Sequence, residues 1–241
     1  MKIMIIRHAD PDYSIDSLTP TGHIEAELLS RKLEKTKIDA FYLSPLGRAK
    51  DTADYTLKKL GRTAEICDWL REFPPRICRP DRQNTVCWDW LPQDWTVRDA
   101  FYSLESWADE PEMVAAGVKE AYNRVSAGLD KLLARHGYTR NGRFYKAEKP
   151  NEDTIALFCH FGLECVLLSH LLGISPMPLW HGFCAAPSSV TTLVTEERRE
   201  GAASFRVLSF GDTTHLSSEG YEPSFSARFC ETYDRLDQRH D

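Results

Sequence analysis

Residues 2–8 read KIMIIRH, a short apolar and β-branched run that closes on a basic pair, Arg7-His8. An unbroken apolar run of this length suits a strand buried on both faces, as in a parallel sheet. Open α/β sheets place their active sites just beyond the carboxyl ends of such strands. Two later stretches complete the pattern. SPLGRAKDTA (44–53) carries Arg48, and IALFCHFG (155–162) brings His160 to the end of another apolar run. Two guanidiniums and two imidazoles delivered from separate strand ends make a pocket for a phosphate-like oxyanion.

Outward from the first strand, LTPTGHIEAELLSRKLEK (18–35) turns helical. Thr19 can cap it, Pro20 suits its first turn, and Ala26, Leu29 and Leu33 share a face. DAFYLS (39–44) reads as a second strand and PLGRAKDTADYTLKKLG (45–61) as a second helix stopped by Gly61. AEICD (64–68) reads as a third strand, followed by the turn WLREFPPR. Strand–helix–strand–helix–strand at this spacing argues for a parallel α/β sheet.

From 73 to 150 the composition shifts to Pro and Arg, and helical patterns replace strands. The tryptophans at 88, 90, 95 and 107 read as the core of this segment rather than as a platform for substrate. The segment is expected to be an insertion folded over the sheet, ending in a basic loop, GYTRNGRFYKAEKPNED (137–153). TIALFC, ECVLLSHLLG, SVTTLV and FRVLSF then resume the strand–helix–strand–strand pattern.

The chain has 241 residues, 42% of them hydrophobic, and a formal charge of −6, which suits one domain spanning 1–241 with the insertion inside it. No basic tract marks a nucleic-acid binder. No apolar stretch reaches the ~18 residues of a membrane span, and the N-terminal apolar run is too short for a secretory signal, so a cytoplasmic protein is expected. Seven cysteines at irregular spacing show neither a disulfide framework nor a zinc pattern. Neither cofactor nor metal is expected, and the oligomeric state is not legible.

Four motifs stand in order. They are Arg7-His8-Ala9, Ser44-Pro45-Leu46-Gly47-Arg48-Ala49-Lys50-Asp51-Thr52-Ala53, Leu70-Arg71-Glu72, and Cys159-His160-Phe161-Gly162. Together they resemble the histidine phosphatase superfamily, also called the phosphoglycerate mutase-like family, over roughly residues 1–72 and 154–215. The resemblance implies a three-layer α/β/α sandwich with a mostly parallel central sheet and a helical insertion over the active site. It also implies a histidine acid-type phosphatase, a phosphomonoesterase acting on a small phosphorylated metabolite.

In that reading His8 attacks phosphorus and forms a phosphohistidine, provided its other ring nitrogen donates to a carbonyl. Arg7 and Arg48 clamp phosphate oxygens, and His160 completes the clamp as an imidazolium, helped by N–H groups of the helix that follows it. Glu72 protonates the leaving group and then takes a proton from water. With that positive charge in place, Mg²⁺ is not required.

Position separates these residues from lookalikes. Arg135-His136-Gly137 spells the family motif more literally than Arg7-His8-Ala9, yet it closes a helical stretch and reads as a C-terminal cap. Another Arg-His pair, Arg239-His240, stands near the end of the chain. His181 and His215 read as structural or rim residues.

The chain also departs from the family. Ala9 replaces a glycine, and an Asn that commonly helps hold phosphate is missing, with Ser14 or Tyr13 as its substitute. Mutases usually carry Glu-Arg-His where this chain has Arg71-Glu72-Phe73, which favours a phosphatase. Arg76, Arg79 and Arg82 could hold a second anionic group, which keeps a phosphoglycerate mutase or sugar-bisphosphate phosphatase as the alternative. The non-enzymatic alternative is an inactive phospho-ligand-binding scaffold.

Overall fold

Alternate residues of KIMIIR face opposite ways, and each side meets a different wall of helices. A computed structural model describes residues 1–224; Cys230 and Arg239-His240 lie outside the described residues. Strand β1 (Lys2–Arg7) leads into the hairpin β2 (Pro11–Asp12) and β3 (Ser17–Leu18), then α1 (Pro20–Leu33), β4 (Ala40–Leu43), α2 (Gly47–Leu60) and β5 (Glu65–Ile66). The segment after Leu70 holds the hairpin β6 (Arg76–Ile77) and β7 (Thr85–Val86), then α3 (Pro92–Trp95), α4 (Pro111–Ala115) and α5 (Val118–Arg135). A second hairpin follows, β8 (Tyr138–Asn141) and β9 (Phe144–Ala147). The chain continues through β10 (Thr154–Cys159), α6 (Phe161–Leu172), α7 (Pro176–Gly182), β11 (Val190–Arg199), β12 (Ala202–Asp212) and α8 (Thr214–Ser217).

The eight-stranded sheet has the order β5-β4-β10-β1-β11-β12-β9-β8. Strands β5, β4, β10 and β1 run parallel. Every pairing from β1 across β11, β12 and β9 to β8 is antiparallel. The mostly parallel sheet of the sequence reading therefore describes the half that bears Arg7 and His160, and the whole is mixed. On one face Met4 and Ile6 pack with Phe41, Leu43, Ala156 and Phe158 against Leu29, Leu33 and Ala53 of α1 and α2. On the other, Ile3, Ile5, Ile155 and Leu157 pack with Leu129 of α5, Leu163 and Leu167 of α6, and Trp90 and Trp107 from the stretch between β7 and α5. This period-2 division is what a strand buried on both faces requires.

Local signals act as their chemistry dictates. Thr19 Oγ1 accepts the N–H of Gly22 at 3.0 Å and caps α1. Gly61 ends α2 at φ +60. Arg135 is the last residue of α5 and Gly137 follows at φ +91, so the second Arg-His-Gly is a helix end. The basic stretch 137–153 departs from the expected loop. It folds into β8–β9 and extends the sheet edge, because Tyr138 and Tyr145 bury their rings against Phe205. The expected third strand shrinks to Glu65–Ile66, and a 3-10 turn, Asp68–Leu70, carries the chain towards Glu72. Among the described residues no helix is long and apolar enough to cross a membrane.

Helix α1 presses close to the turn after β1: a Cβ on Gly22 would run into the carbonyl oxygen of Asp10. Gly22→Ala should therefore lower stability by about 1–3 kcal/mol, read calorimetrically as a fall of several degrees in Tm. An unchanged Tm would mean that this contact relaxes freely.

Candidate active site

Three adjacent parallel strands end side by side, and each hands a side chain to one pocket. β1 ends at Arg7 and β10 at Cys159, where the Cys159 carbonyl accepts the N–H of His8 at 3.0 Å. β4 ends at Leu43; Ser44 N–H donates to Phe158 O at 3.0 Å, and the chain turns into α2 with Arg48 in its first turn. Ring centroids of His8 and His160 lie 5.1 Å apart. Arg7, His8 and His160 are all buried.

The His8 tautomer follows from its partner. Nδ1 lies 2.8 Å from the carbonyl oxygen of Ala9, an acceptor, so Nδ1 bears the proton and Nε2 keeps its lone pair. Burial, with the charges of Arg7 and Arg48, pushes its pKa well below that of a free histidine, against the pull of the Ala9 carbonyl. The ring is neutral at pH 7. Alanine in the family's glycine place is tolerated, because among the described non-glycine residues only Asp16, Asn84 and Ser188 have positive φ. Ala9 N–H donates to Thr52 Oγ1 at 2.9 Å, and Thr52 donates to Arg48 O at 2.7 Å. The threonine of SPLGRAKDTA thus ties the β1 turn to α2.

His160 differs from expectation in its charge. Burial, then His8, Arg48 and Arg7, hold its pKa well below the ordinary value, so it is a neutral imidazole and not an imidazolium. Ser44 Oγ accepts the N–H of Leu46 at 3.3 Å, and among the described residues His160 Nε2, at 2.8 Å, is the acceptor within reach of its own hydrogen. The His160 proton then sits on Nδ1. That atom, Arg7 Nε and Arg48 Nε are buried donors with no protein partner. Three orphaned donors in one buried cluster are a cradle for an anion.

Each guanidinium is anchored at its far end. Arg7 Nη1 donates to Ala185 O at 2.5 Å. Arg48 Nη1 donates to Asp16 Oδ1 at 2.6 Å, and Asp16 Oδ2 accepts the N–H of Gly47 at 2.7 Å. Burial works against the Asp16 carboxylate, but Gly47 and Arg48 hold its pKa below the usual range.

Glu72 is partly buried beside the clamp. Oε1 accepts the N–H of Phe73 at 2.8 Å and of Leu163 at 2.9 Å. Burial raises its pKa above that of a free glutamate, while Phe73, Arg48, Leu163 and Arg7 oppose the shift. A Cβ on Gly162 would come within 2.8 Å of Glu72 Oε1 and 2.7 Å of the Trp88 indole, so that glycine makes room for both. At least one N–H of the α6 amino end, Leu163, serves Glu72 rather than an anion.

Of the remaining candidates, Tyr13 touches the clamp and the others pair elsewhere. Ser14 is exposed and gives its hydroxyl to Asp12 at 2.5 Å, so it does not replace the missing Asn. Tyr13 places its ring 5.3 Å from the Arg48 guanidinium carbon, a cation–π contact. Arg79 corrects the sequence reading: it is buried, forks onto both oxygens of Asp81 at 3.0 and 2.9 Å, and bonds Asp89. Arg76 is exposed and donates to Asn84 O at 2.8 Å across its own hairpin. Both brace β6–β7. His181 and His215 are structural, bonded to Met177 O and Ser188 Oγ.

Sequence reasoning missed Asp16, Ser44 and Glu164. Glu164 is buried on α6, and burial raises its pKa to about 7 against Thr191 and Arg7. Only Ser44 carried a signal, its place in the second motif.

Comparisons with known proteins agree with this geometry. Residues 3–207 match the family described as "Histidine phosphatase superfamily (branch 1)", and the chain belongs to that superfamily. It is a phosphatase of that group. A Hydrogenobacter thermophilus protein named "Putative phosphoserine phosphatase 2" is 36% identical over 145 residues, 56% of this chain and 68% of that one. Phosphoserine phosphatase 1 of the same organism is 23% identical over 229 residues, 90% of this chain and 94% of the relative. Among solved structures, a phosphoserine phosphatase mutant of Entamoeba histolytica in complex with phosphoserine shares the fold. Its TM-score is 0.61 at 18% identity, covering 89% of this chain and 98% of that one.

Loss of the Asp16 anchor should loosen Arg48. A hydrogen bond between charged groups contributes about 1.5–3 kcal/mol, so Asp16→Ala should lower kcat/KM for phosphomonoester hydrolysis about tenfold or more. Asp16→Asn, which keeps one acceptor, should lose less. Equal kcat/KM in wild type and Asp16→Ala would show that Arg48 holds its place unaided.

Proposed function

We propose that the protein is a metal-independent phosphomonoesterase of the acid type, acting on a small phosphorylated metabolite through a phosphohistidine on His8. The observation that carries this reading is the nucleophile-ready tautomer of His8 beside the orphaned donors of Arg7, Arg48 and His160. His8 Nε2 gives its lone pair to phosphorus. As the P–O bond breaks, Glu72 gives its proton to the leaving oxygen. Water then attacks phosphorus, its proton passes to Glu72, and the P–N bond electrons return to Nε2. Arg7 and Arg48 compensate the charge on the equatorial oxygens, and His160 donates through Nδ1.

Relatives named phosphoserine phosphatase support a small metabolite as substrate. The internal pairing of Arg79 weighs against a second phosphate site and hence against a mutase. In this reading 73–150 is an insertion within one domain, and the protein works in the cytoplasm on a small phosphorylated substrate, with neither nucleic acid nor membrane as a partner.

The pH profile tests the roles. His8 must be unprotonated, and its lowered pKa puts the acid limb of kcat/KM well below pH 6.5. Glu72 must be protonated for the first step, and its raised pKa puts the alkaline limb above pH 4.5. Glu72→Gln should remove the alkaline limb and slow poor leaving groups most. His8→Ala should abolish turnover, while EDTA should leave wild-type turnover intact. Hydrolysis retained by His8→Ala, or lost in EDTA, would overturn the mechanism.

A further inference from the structure

Beside this site lies a cavity of 340 Å³ walled by Trp88, Trp90, Trp95, Trp180, His181 and Phe183. Core packing accounts for Trp90 and Trp180, each 3% exposed. Trp88 and Trp95 pack on that core with one side yet stay only partly buried, and Phe183 is 47% exposed. The volume falls in the range of small-molecule sites.

The cavity is bracketed by the catalytic groups. Trp88 Nε1 donates to Phe73 O, one residue past Glu72, and its indole meets Glu72 across Gly162. Trp180 Nε1 donates to Gly162 O at 2.9 Å. On the other side, Phe183 and Cys184 run into Ala185, whose carbonyl anchors Arg7. A group leaving from the oxygen that Glu72 protonates is therefore released next to this space.

Its walls mix ring faces with polar surface, and the polar groups of Trp90, His181 and Asp89 are already paired within the protein. Trp90 Nε1 is spent on Cys87 O, and His181 donates from Nδ1 to Met177 O while Nε2 accepts the N–H of Trp90. Burial pushes the His181 pKa down to about 4, so the ring stays neutral, and it stacks on Trp95 at 5.0 Å between centroids. The carboxylate of Asp89, also at the cavity, pairs with Arg79 at 3.3 Å. A hydroxyl-rich alcohol would leave water there without replacement hydrogen bonds. A flat ring would gain burial and stacking.

The geometry points to this cavity as the leaving-group subsite and to phosphate monoesters of aromatic alcohols as the substrate class, an inference that rests on the phosphomonoesterase reading. It also revises the sequence reading of the tryptophans: Trp90 and Trp107 are core, whereas Trp88 and Trp95 form walls.

The test compares 2-naphthylmethyl phosphate with glycerol 3-phosphate and phosphoserine, all esters of alkyl-type alcohols. The expected preference in kcat/KM for the naphthylmethyl ester is about tenfold or more, the scale of one aromatic stacking contact. Trp95→Ala should cut that ratio about tenfold. Phe183→Ala, at a half-exposed ring, should also lower it and guards against misfolding of the first variant. Quenching of tryptophan fluorescence by 2-naphthylmethanol reads the cavity without turnover. Hydrolysis with no aromatic preference and no quenching overturns the subsite alone. Quenching without hydrolysis of any ester overturns the phosphatase reading alone. Phosphocholine cleaved faster than the naphthylmethyl ester would make the cavity a cation site and overturn the assignment to aromatic alcohols.

Discussion

Two buried guanidiniums within reach of two imidazoles repel one another, and the molecule is organised to contain that repulsion. Both rings stay neutral, since burial and the neighbouring cations act on them in the same direction. Each guanidinium is held from behind, Arg7 by a carbonyl and Arg48 by a carboxylate. Arg7 Nε, Arg48 Nε and His160 Nδ1 are left without a protein partner. Low local dielectric makes such donors costly without an anion and strong with one. Stability and affinity are thus traded within the same few atoms.

The parallel half of the sheet is what allows this crowding. Neighbouring parallel strands finish at the same edge, so β4, β10 and β1 deliver Ser44, His160 and Arg7-His8 together. An antiparallel neighbour would bring a strand's beginning there instead, and β11 does this on the other side of β1. That beginning is used. Ser189 O accepts the N–H of Arg7, Ser188 N–H donates to His8 O, and Ala185 O takes the Arg7 guanidinium.

What could be read from the sequence was what depends on local periodicity and motif order. The runs in KIMII and TIALFC, the Thr19 cap and Gly61 all act through neighbours within a few residues. Arg7, His8, Arg48, Glu72 and His160 were legible because their order along the chain fits the order of strand ends. Partner choice was not legible. Arg79 looks like a free cation in one dimension, and only folding of β6–β7 sets it against Asp81 and Asp89. Asp16 gave no signal because its role needs a left-handed turn, φ +49, that carries its carboxylate to Arg48. The hairpin at 138–147 was hidden because Arg140 shares the side of Tyr138, Tyr145 and Ala147, while Phe144 is exposed on the other, so no clean apolar alternation announces a strand.

Glu72 shows how the segment after Leu70 and the sheet share a single residue. Its backbone leaves the sheet edge after β5, while its Oε1 is fixed by Leu163 of α6 on the sheet side and Phe73 on the side of that segment. Trp88 and the Glu72 carboxyl both crowd the space where a Gly162 Cβ would stand. Burial is the largest cause of its raised pKa, and the two N–H groups that fix Oε1 work against it. A substitution that let water reach this carboxyl would bring its pKa down towards that of a free glutamate.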